Sequence, residues 1–268
     1  MSEPASSTSK GRNRLSLVLR KAGDLISIGD VSSTLSMTRA EASKLLARWN
    51  AQGWIKRLRR GYYAPVPLAS LGQQQVLEDP WLMVPQLFGP ACIGGWSAAE
   101  HWGLTEQLFR STCVLTARKV RQKELTIQGL PFSLKHVKES ALFGTRPIWR
   151  GRVRVPVASP AKTIIDMLDD PAIGGGIRHV ADCLRAYLQR EDSNTDELVT
   201  VAEKLGNGAV FKRLGFLAEL EGKQDALVAA CQARLSKGNA KLDPAMPCRK
   251  LVKRWKLWIP ARYAEKHP

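Results

Sequence analysis

Acid is what this sequence is short of. Against 41 lysines and arginines there are only 24 aspartates and glutamates in 268 residues, a formal net charge of +17. That balance calls for a polyanionic partner, nucleic acid or an anionic membrane surface. Long apolar runs are also lacking: no stretch approaches the roughly 18 residues of a membrane span, and residues 1–13 are polar and Ser-rich, without the apolar core of an export signal. Together these absences point to nucleic acid, no membrane, and a soluble, cytoplasmic protein.

Cysteine and histidine are sparse and wrongly spaced. Cys92, Cys113, Cys183, Cys231 and Cys248 are odd in number and far apart, which excludes a disulfide framework or a Cys-x-x-Cys knuckle and leaves reduced, structural thiols. His101, His136, His179 and His267 show no ligand spacing. Gly174-Gly-Gly176 lacks the Lys-Ser/Thr that follows a phosphate loop. A restriction-type nuclease needs an Asp and a Glu-x-Lys pair around a divalent metal; here the Glu-x-Lys is Glu221-Gly222-Lys223, at an expected break between helices. Lys162 precedes Asp166 by one turn and reads as an ion pair, with Asp169 and Asp170 closing the same helix. No catalytic set, metal or cofactor is expected. A mobile-element nuclease or nucleic-acid-processing enzyme is the alternative, and a transcription factor with a small-molecule sensor body comes third.

The positive charge sits at the ends. Residues 1–70 hold 12 Lys/Arg against 4 Asp/Glu, residues 241–268 hold 8 against 2, and the 170 between them carry only +3. Within the first block, Thr38-Arg39-Ala40-Glu41 is a capping box that starts a helix. Ala42, Leu45, Leu46 and Trp49 follow at i, i+3, i+4 and i+7, a stripe that must face a core, and Gly53 supplies the stop. The opposite face carries Ala40, Ser43, Lys44, Ala47 and Arg48, small enough for close approach to a groove and basic enough to reach bases or phosphates.

Ser27 caps a short helix with Ile28, Val31 and Leu35, only Ser36 and Met37 separate it from the next, and the pair reads as a helix-turn-helix. Downstream, Trp54–Leu58 and Gly61–Val66 predict a hairpin around Arg59-Arg60-Gly61, the wing of a winged helix. Leu15, Val18, Leu19 and Ala22 give a first helix ended by Gly23. The expected DNA-binding set is Ser36, Thr38, Arg39, Ser43, Lys44, Arg48, Lys56, Arg57, Arg59 and Arg60. Residues 1–12 read as a disordered basic lead-in and 13–68 as a winged helix-turn-helix; Pro65 to Gln75 is the boundary.

From residue 76 to 268 the pattern changes. Asp79-Pro80 opens a short helix that Pro85 should break. A strand from Ala91 turns into a helix capped by Ser97 and Glu100 and closed by Gly103. Strands are predicted over 112–116, 125–128, 132–137 and 152–157. Ser159-Pro160 starts a helix carrying Ile164, Ile165 and Leu168, followed by helices near 177–190, 196–205, 209–221 and 224–236. The fold class is α+β: an N-terminal winged helix-turn-helix followed by a mixed α+β domain, sheet-rich first and helical later.

In this order, the winged helix ending in Gly61-Tyr62-Tyr63, Trp96-Ser-Ala-Ala-Glu-His-Trp-Gly-Leu-Thr-Glu-Gln107, Val157-Ala-Ser-Pro-Ala-Lys-Thr-Ile-Ile-Asp-Met-Leu168, Lys212-Arg-Leu-Gly-Phe-Leu-Ala-Glu219, and Leu242-Asp-Pro244 with Lys253-Arg-Trp-Lys-Leu-Trp258, the chain resembles the AbiEi family of antitoxins. The resemblance implies an antitoxin of a type IV toxin-antitoxin system, active in abortive infection, whose winged helix binds inverted repeats in its own promoter as a transcriptional autorepressor. It also implies that residues 76–268 counter a nucleotidyltransferase-like toxin without a stable complex.

A second candidate surface lies near the C-terminus, where Arg249, Lys250, Lys253, Arg254 and Lys256 interleave with Trp255 and Trp258. Such a mixture can hold a single strand by stacking. It also fits a last strand, residues 254–259, with Trp255, Leu257 and Ile259 packed inward.

Overall fold

The computed structural model describes residues 5–22, 25–66, 79–151, 153–222 and 224–264. Its first helix, α1 (Ala5–Ala22), corrects one expectation, because polarity alone predicts disorder through residue 12. Extending a nucleated helix by one residue costs little. Gly11 also lies against the Trp54 ring, and the Arg12 guanidinium sits 5.8 Å from that ring's centroid. No local signal announces that contact. Gly23, the expected stop, lies outside the described residues.

Strand β1 (Ile26–Ser27) leads into α2 (Ile28–Thr34), where Ser27 and Asp30 form a capping box. Thr38 and Glu41 form the same device for α3 (Arg39–Ala51). The turn between them is held by the Ser32 hydroxyl donating to the Met37 carbonyl at 2.6 Å. Strands β2 (Ile55–Arg59) and β3 (Tyr62–Pro65) form an antiparallel hairpin, and β3 also pairs with β1. Ala42, Leu46 and Trp49 are buried as the stripe predicts, against Val18, Ile26, Val31 and Ile55. Burying a side chain such as Leu46 is worth about 2 kcal/mol.

The second unit opens with a 3-10 turn, Pro80–Met83, that runs into α4 (Val84–Phe88). Pro85 does not break this helix but sits in its first turn, where the missing N–H costs nothing. Next come β4 (Ala91–Ile93), α5 (Gly95–His101), β5 (Thr112–Thr116), β6 (Glu124–Ile127), β7 (Leu130–His136), β8 (Thr145–Arg150) and β9 (Val153–Ala158). They form a mixed six-stranded sheet in the order β6-β7-β5-β4-β9-β8. Strand β8 escapes sequence reading because Pro147 interrupts it. It lies at the sheet's edge, where a proline is tolerated.

A second correction concerns α5. The box expected at Ser97 and Glu100 does not form: the Ser97 hydroxyl accepts from the Cys113 amide at 2.9 Å, and the helix starts three residues earlier than that cap would place it. Gly95 makes that start possible. Its φ is +51°, and a Cβ there would stand 2.2 Å from the Ile173 carbonyl oxygen, so close approach of two backbones requires glycine.

Helices then dominate: α6 (Pro160–Asp169, capped by Ser159), α7 (Ile177–Leu188), α8 (Thr195–Leu205), α9 (Gly208–Glu221) and α10 (Asp225–Gln232). A small sheet pairs β12 (Leu257–Ile259) with β10 (Ala240–Lys241) and β11 (Lys250–Val252), and α11 (Ala261–Ala264) follows. The chain is therefore α+β, sheet-rich first and helical later. Among the described residues no helix is long and apolar enough to cross a membrane.

Strand alternation divides the core. Cys113 and Leu115 face α5 to α9, whereas Val114, with Ile93, Val155 and Val157, faces the other side. That second side receives the N-terminal unit: Leu25 is buried in it, and Leu58 and Tyr62 of the hairpin pack against it.

Candidate nucleic-acid interface

The geometry of α3 follows from its cap. Thr38 donates its amide and its hydroxyl to the Glu41 carboxylate, at 2.8 Å each, and these bonds hold the Glu41 pKa below the ordinary carboxylate range. The helix entry is thus fixed and its apolar side buried. Arg39, Ala40, Lys44, Ala47 and Arg48 are exposed, Ser43 half-exposed, and Lys44 and Arg48 lie one turn apart. Ser36 and Thr38, also exposed, stand at the helix entry, with Ser36 in the left-handed region at φ +49°.

The hairpin is tied to α3 through β2 and to α2 through its turn. The Arg57 amide donates to the Asn50 side-chain carbonyl at 2.8 Å, and the Ile28 amide donates to the Gly61 carbonyl at 3.2 Å. Lys56, Arg57, Arg59 and Arg60 are exposed along it. Among the described residues, none of Arg39, Lys44, Arg48, Lys56, Arg57, Arg59 and Arg60 has a carboxylate within ion-pair distance. These charges are solvated but not neutralised, the state in which a cation is available to a phosphate.

One hairpin residue points elsewhere. Arg59 Nη1 donates to the Leu87 carbonyl at 3.4 Å, toward the second unit, and the Arg57 carbonyl accepts from Gln128 Nε2 at 3.1 Å. Arg118 Nη1 donates to the same Leu87 oxygen at 3.2 Å. Arg118, Lys119, Arg121 and Lys123 form the exposed loop between β5 and β6, a basic group that motif reading passed over. The signal was present in the run Arg118-Lys-Val-Arg-Gln-Lys123, but only the fold brings it to the hairpin.

The C-terminal block is divided by the structure. Trp255, Leu257 and Ile259 are fully buried. Residues Lys253–Trp255 form a 3-10 turn rather than a strand, and Lys256 adopts φ +50°. Arg254 Nη1 pairs with Glu219 Oε1 at 2.6 Å, and Trp255 Nε1 donates to Glu219 Oε2 at 2.6 Å. Lys256 Nζ donates to the Ser236 carbonyl. Arg249, Lys250 and Lys253 are exposed, and Trp258 faces outward at 36 % exposure. Arg254 and Lys256 are thus engaged in holding this part of the fold.

The acidic groups weighed for catalysis each have a partner in the fold. Glu221 accepts both Arg185 Nε and Nη2, at 2.7 and 2.8 Å, and Lys223 lies outside the described residues. Lys162 pairs with Asp166, Asp170 with Lys135, and Asp169 accepts from Asn207 Nδ2 at 2.6 Å. His101 packs edge-on to Trp81 and Trp102, and burial holds its pKa below the ordinary histidine value. No group of three His, Cys, Asp or Glu able to hold a metal occurs among the described residues. All five cysteines are free, and burial pushes the Cys92 thiol up to about 12.

No family model matches the chain, and no curated protein matches it. Among solved structures it is similar to the crystal structure of the RV2827C protein from Mycobacterium tuberculosis, at 16 % identity and a TM-score of 0.61, over 94 % of this chain and 91 % of that one. The two chains share a fold over nearly their whole lengths.

Proposed function

We propose that the chain is a winged-helix repressor that binds inverted repeats in its own promoter and also serves, in the cytoplasm, as the antitoxin of a type IV toxin-antitoxin pair, without catalytic activity of its own. The observation that carries the DNA half is the exposed face of α3. Ala40, Ser43 and Ala47 let the backbone approach the floor of a major groove, while Lys44 and Arg48 reach base edges. Lys56, Arg57 and Arg60 of the hairpin then lie toward the phosphates, which position the protein without reading sequence.

The antitoxin half is supported by the AbiEi resemblance, whose five blocks run through the second unit as well as the first. Its partner is a nucleotidyltransferase-like toxin, countered without a stable complex. The experiment for DNA is a titration on duplex from upstream of the chain's own reading frame against a scrambled duplex. Selective binding that Lys44→Ala with Arg48→Ala removes is expected; equal affinity for both duplexes in the unmodified protein overturns the repressor. For the second half, the chain is co-expressed with a nucleotidyltransferase-like toxin encoded beside it, and the absence of such a reading frame or no gain in survivors overturns the antitoxin.

A further inference from the structure

Between the β2–β3 hairpin and the six-stranded sheet lies a cleft of about 660 Å³. Leu58 of the hairpin and Leu125 and Leu134 of the body form its apolar walls. Arg59, Arg118, Lys119 and Arg121 stand around it. Arg59 and Arg118 converge on one acceptor, the Leu87 carbonyl, and among the described residues neither has a carboxylate within ion-pair distance.

Two guanidiniums sharing one neutral oxygen repel each other and leave most of their N–H donors to water. An anion placed between them would relieve the repulsion and accept several charge-assisted hydrogen bonds. The walls say what the anion is attached to. They are aliphatic; the aromatic neighbour, Phe88, is 3 % exposed and packed on Phe132, so no ring face is offered to a base. The Thr116 hydroxyl is already committed to the Phe88 carbonyl at 2.6 Å. A charged head with an aliphatic body fits this combination, and a nucleotide does not.

We propose that this cleft binds an anionic alkyl amphiphile, a carboxylate or phosphate on a single aliphatic chain, with the head on Arg59 and Arg118 and the chain along Leu58, Leu125 and Leu134. The site joins the hairpin to the body. Since Arg59 belongs to the hairpin, a bound head places negative charge beside Lys56, Arg57 and Arg60 and lowers the positive field the hairpin offers to DNA, a consequence that rests on the repressor reading; the binding itself does not.

The test is calorimetric titration of the full chain with decyl phosphate and with decanoate, below their micellar concentrations, beside inorganic phosphate and decanol. Saturable one-site binding of at least one amphiphile is expected, with the tighter of the two identifying the head group. Inorganic phosphate, decanol and the Arg118→Gln chain should each bind at least about tenfold more weakly, the scale of one charged hydrogen bond or several buried methylenes. Absence of saturable binding by both amphiphiles overturns the proposal. So does equal affinity for inorganic and decyl phosphate, which would make the cleft a stretch of DNA-backbone surface, and so does an unchanged Arg118→Gln chain. With a duplex the protein binds, decyl phosphate should weaken DNA binding severalfold in the unmodified chain and not in Arg118→Gln. Amphiphile binding that leaves DNA affinity unchanged overturns the coupling, whereas failure of all DNA binding overturns the repressor reading and leaves the direct titration to judge the cleft.

Discussion

Lys162 and Asp166 form an ion pair one turn apart on α6 with both side chains buried, and the second carboxylate oxygen of Asp166 has no hydrogen-bond partner among the described residues. Lys162 also lies 4.9 Å from the centroid of the Phe143 ring. A buried pair of this kind holds its partners hostage, because removing one leaves the other charged and dry. Lys162→Met should therefore cost about 3 to 5 kcal/mol at neutral pH, and Lys162→Met with Asp166→Leu should recover all of it or more. Denaturant unfolding of the three chains checks this.

The same pair sets a pH dependence. Burial pushes the Asp166 carboxyl up from 3.8 to about 6, against the pull of Lys162. A carboxyl whose pKa is higher folded than unfolded binds more protons in the native state, so its contribution falls as pH rises between those values. The stability of the unmodified chain relative to Asp166→Asn should decline from about pH 4 to about pH 6 and stay level above. A relative stability that rises across that window would contradict the burial argument.

If the exposed face of α3 enters a DNA groove as proposed, base-reading and phosphate contacts should separate. Arg48→Ala should cost about 1 to 3 kcal/mol on a specific site and relax its sequence preference, while Arg60→Ala should weaken all duplexes alike. Competition titrations with single-base variants of the site distinguish the two patterns.

Salt gives an independent reading. If each N-terminal unit neutralises about four phosphates and an inverted repeat holds two copies, log K should fall against log salt with a slope near −7 on the full site and about half that on a half-site. Equal slopes on both would exclude paired occupancy.

The two C-terminal tryptophans should behave oppositely. Trp255 is buried on Gly215, where a Cβ would stand 2.1 Å from its ring. Trp255→Ala should cost about 3 to 5 kcal/mol, and Gly215→Ala should destabilise by about 1 to 3 kcal/mol despite alanine's helix propensity. Trp258→Ala should change stability by only about 0.5 kcal/mol. Thermal unfolding of the three variants decides.

Sequence by itself determined the elements whose causes are local. Ser27, Thr38 and Ser159 cap the helices that their spacing predicts, since a cap needs only a hydroxyl and an amide three residues on. The stripe Ala42, Leu46 and Trp49 was legible for the same reason, since period alone fixes which side is apolar, and the strand Thr112–Thr116 was legible as a short apolar and β-branched run, buried on both faces. Tertiary structure decided the rest. Ser97 has the sequence of a cap, yet its hydroxyl serves Cys113, sixteen residues away, because β5 lies beside it. Arg59 reads as a wing cation like Arg57 and Arg60, and only the packing of Leu58 and Tyr62 on the sheet turns its guanidinium to the Leu87 carbonyl beside Arg118. A charge run shows in sequence how many cations there are; where they converge, and hence what they can hold, depends on contacts between residues far apart in the chain.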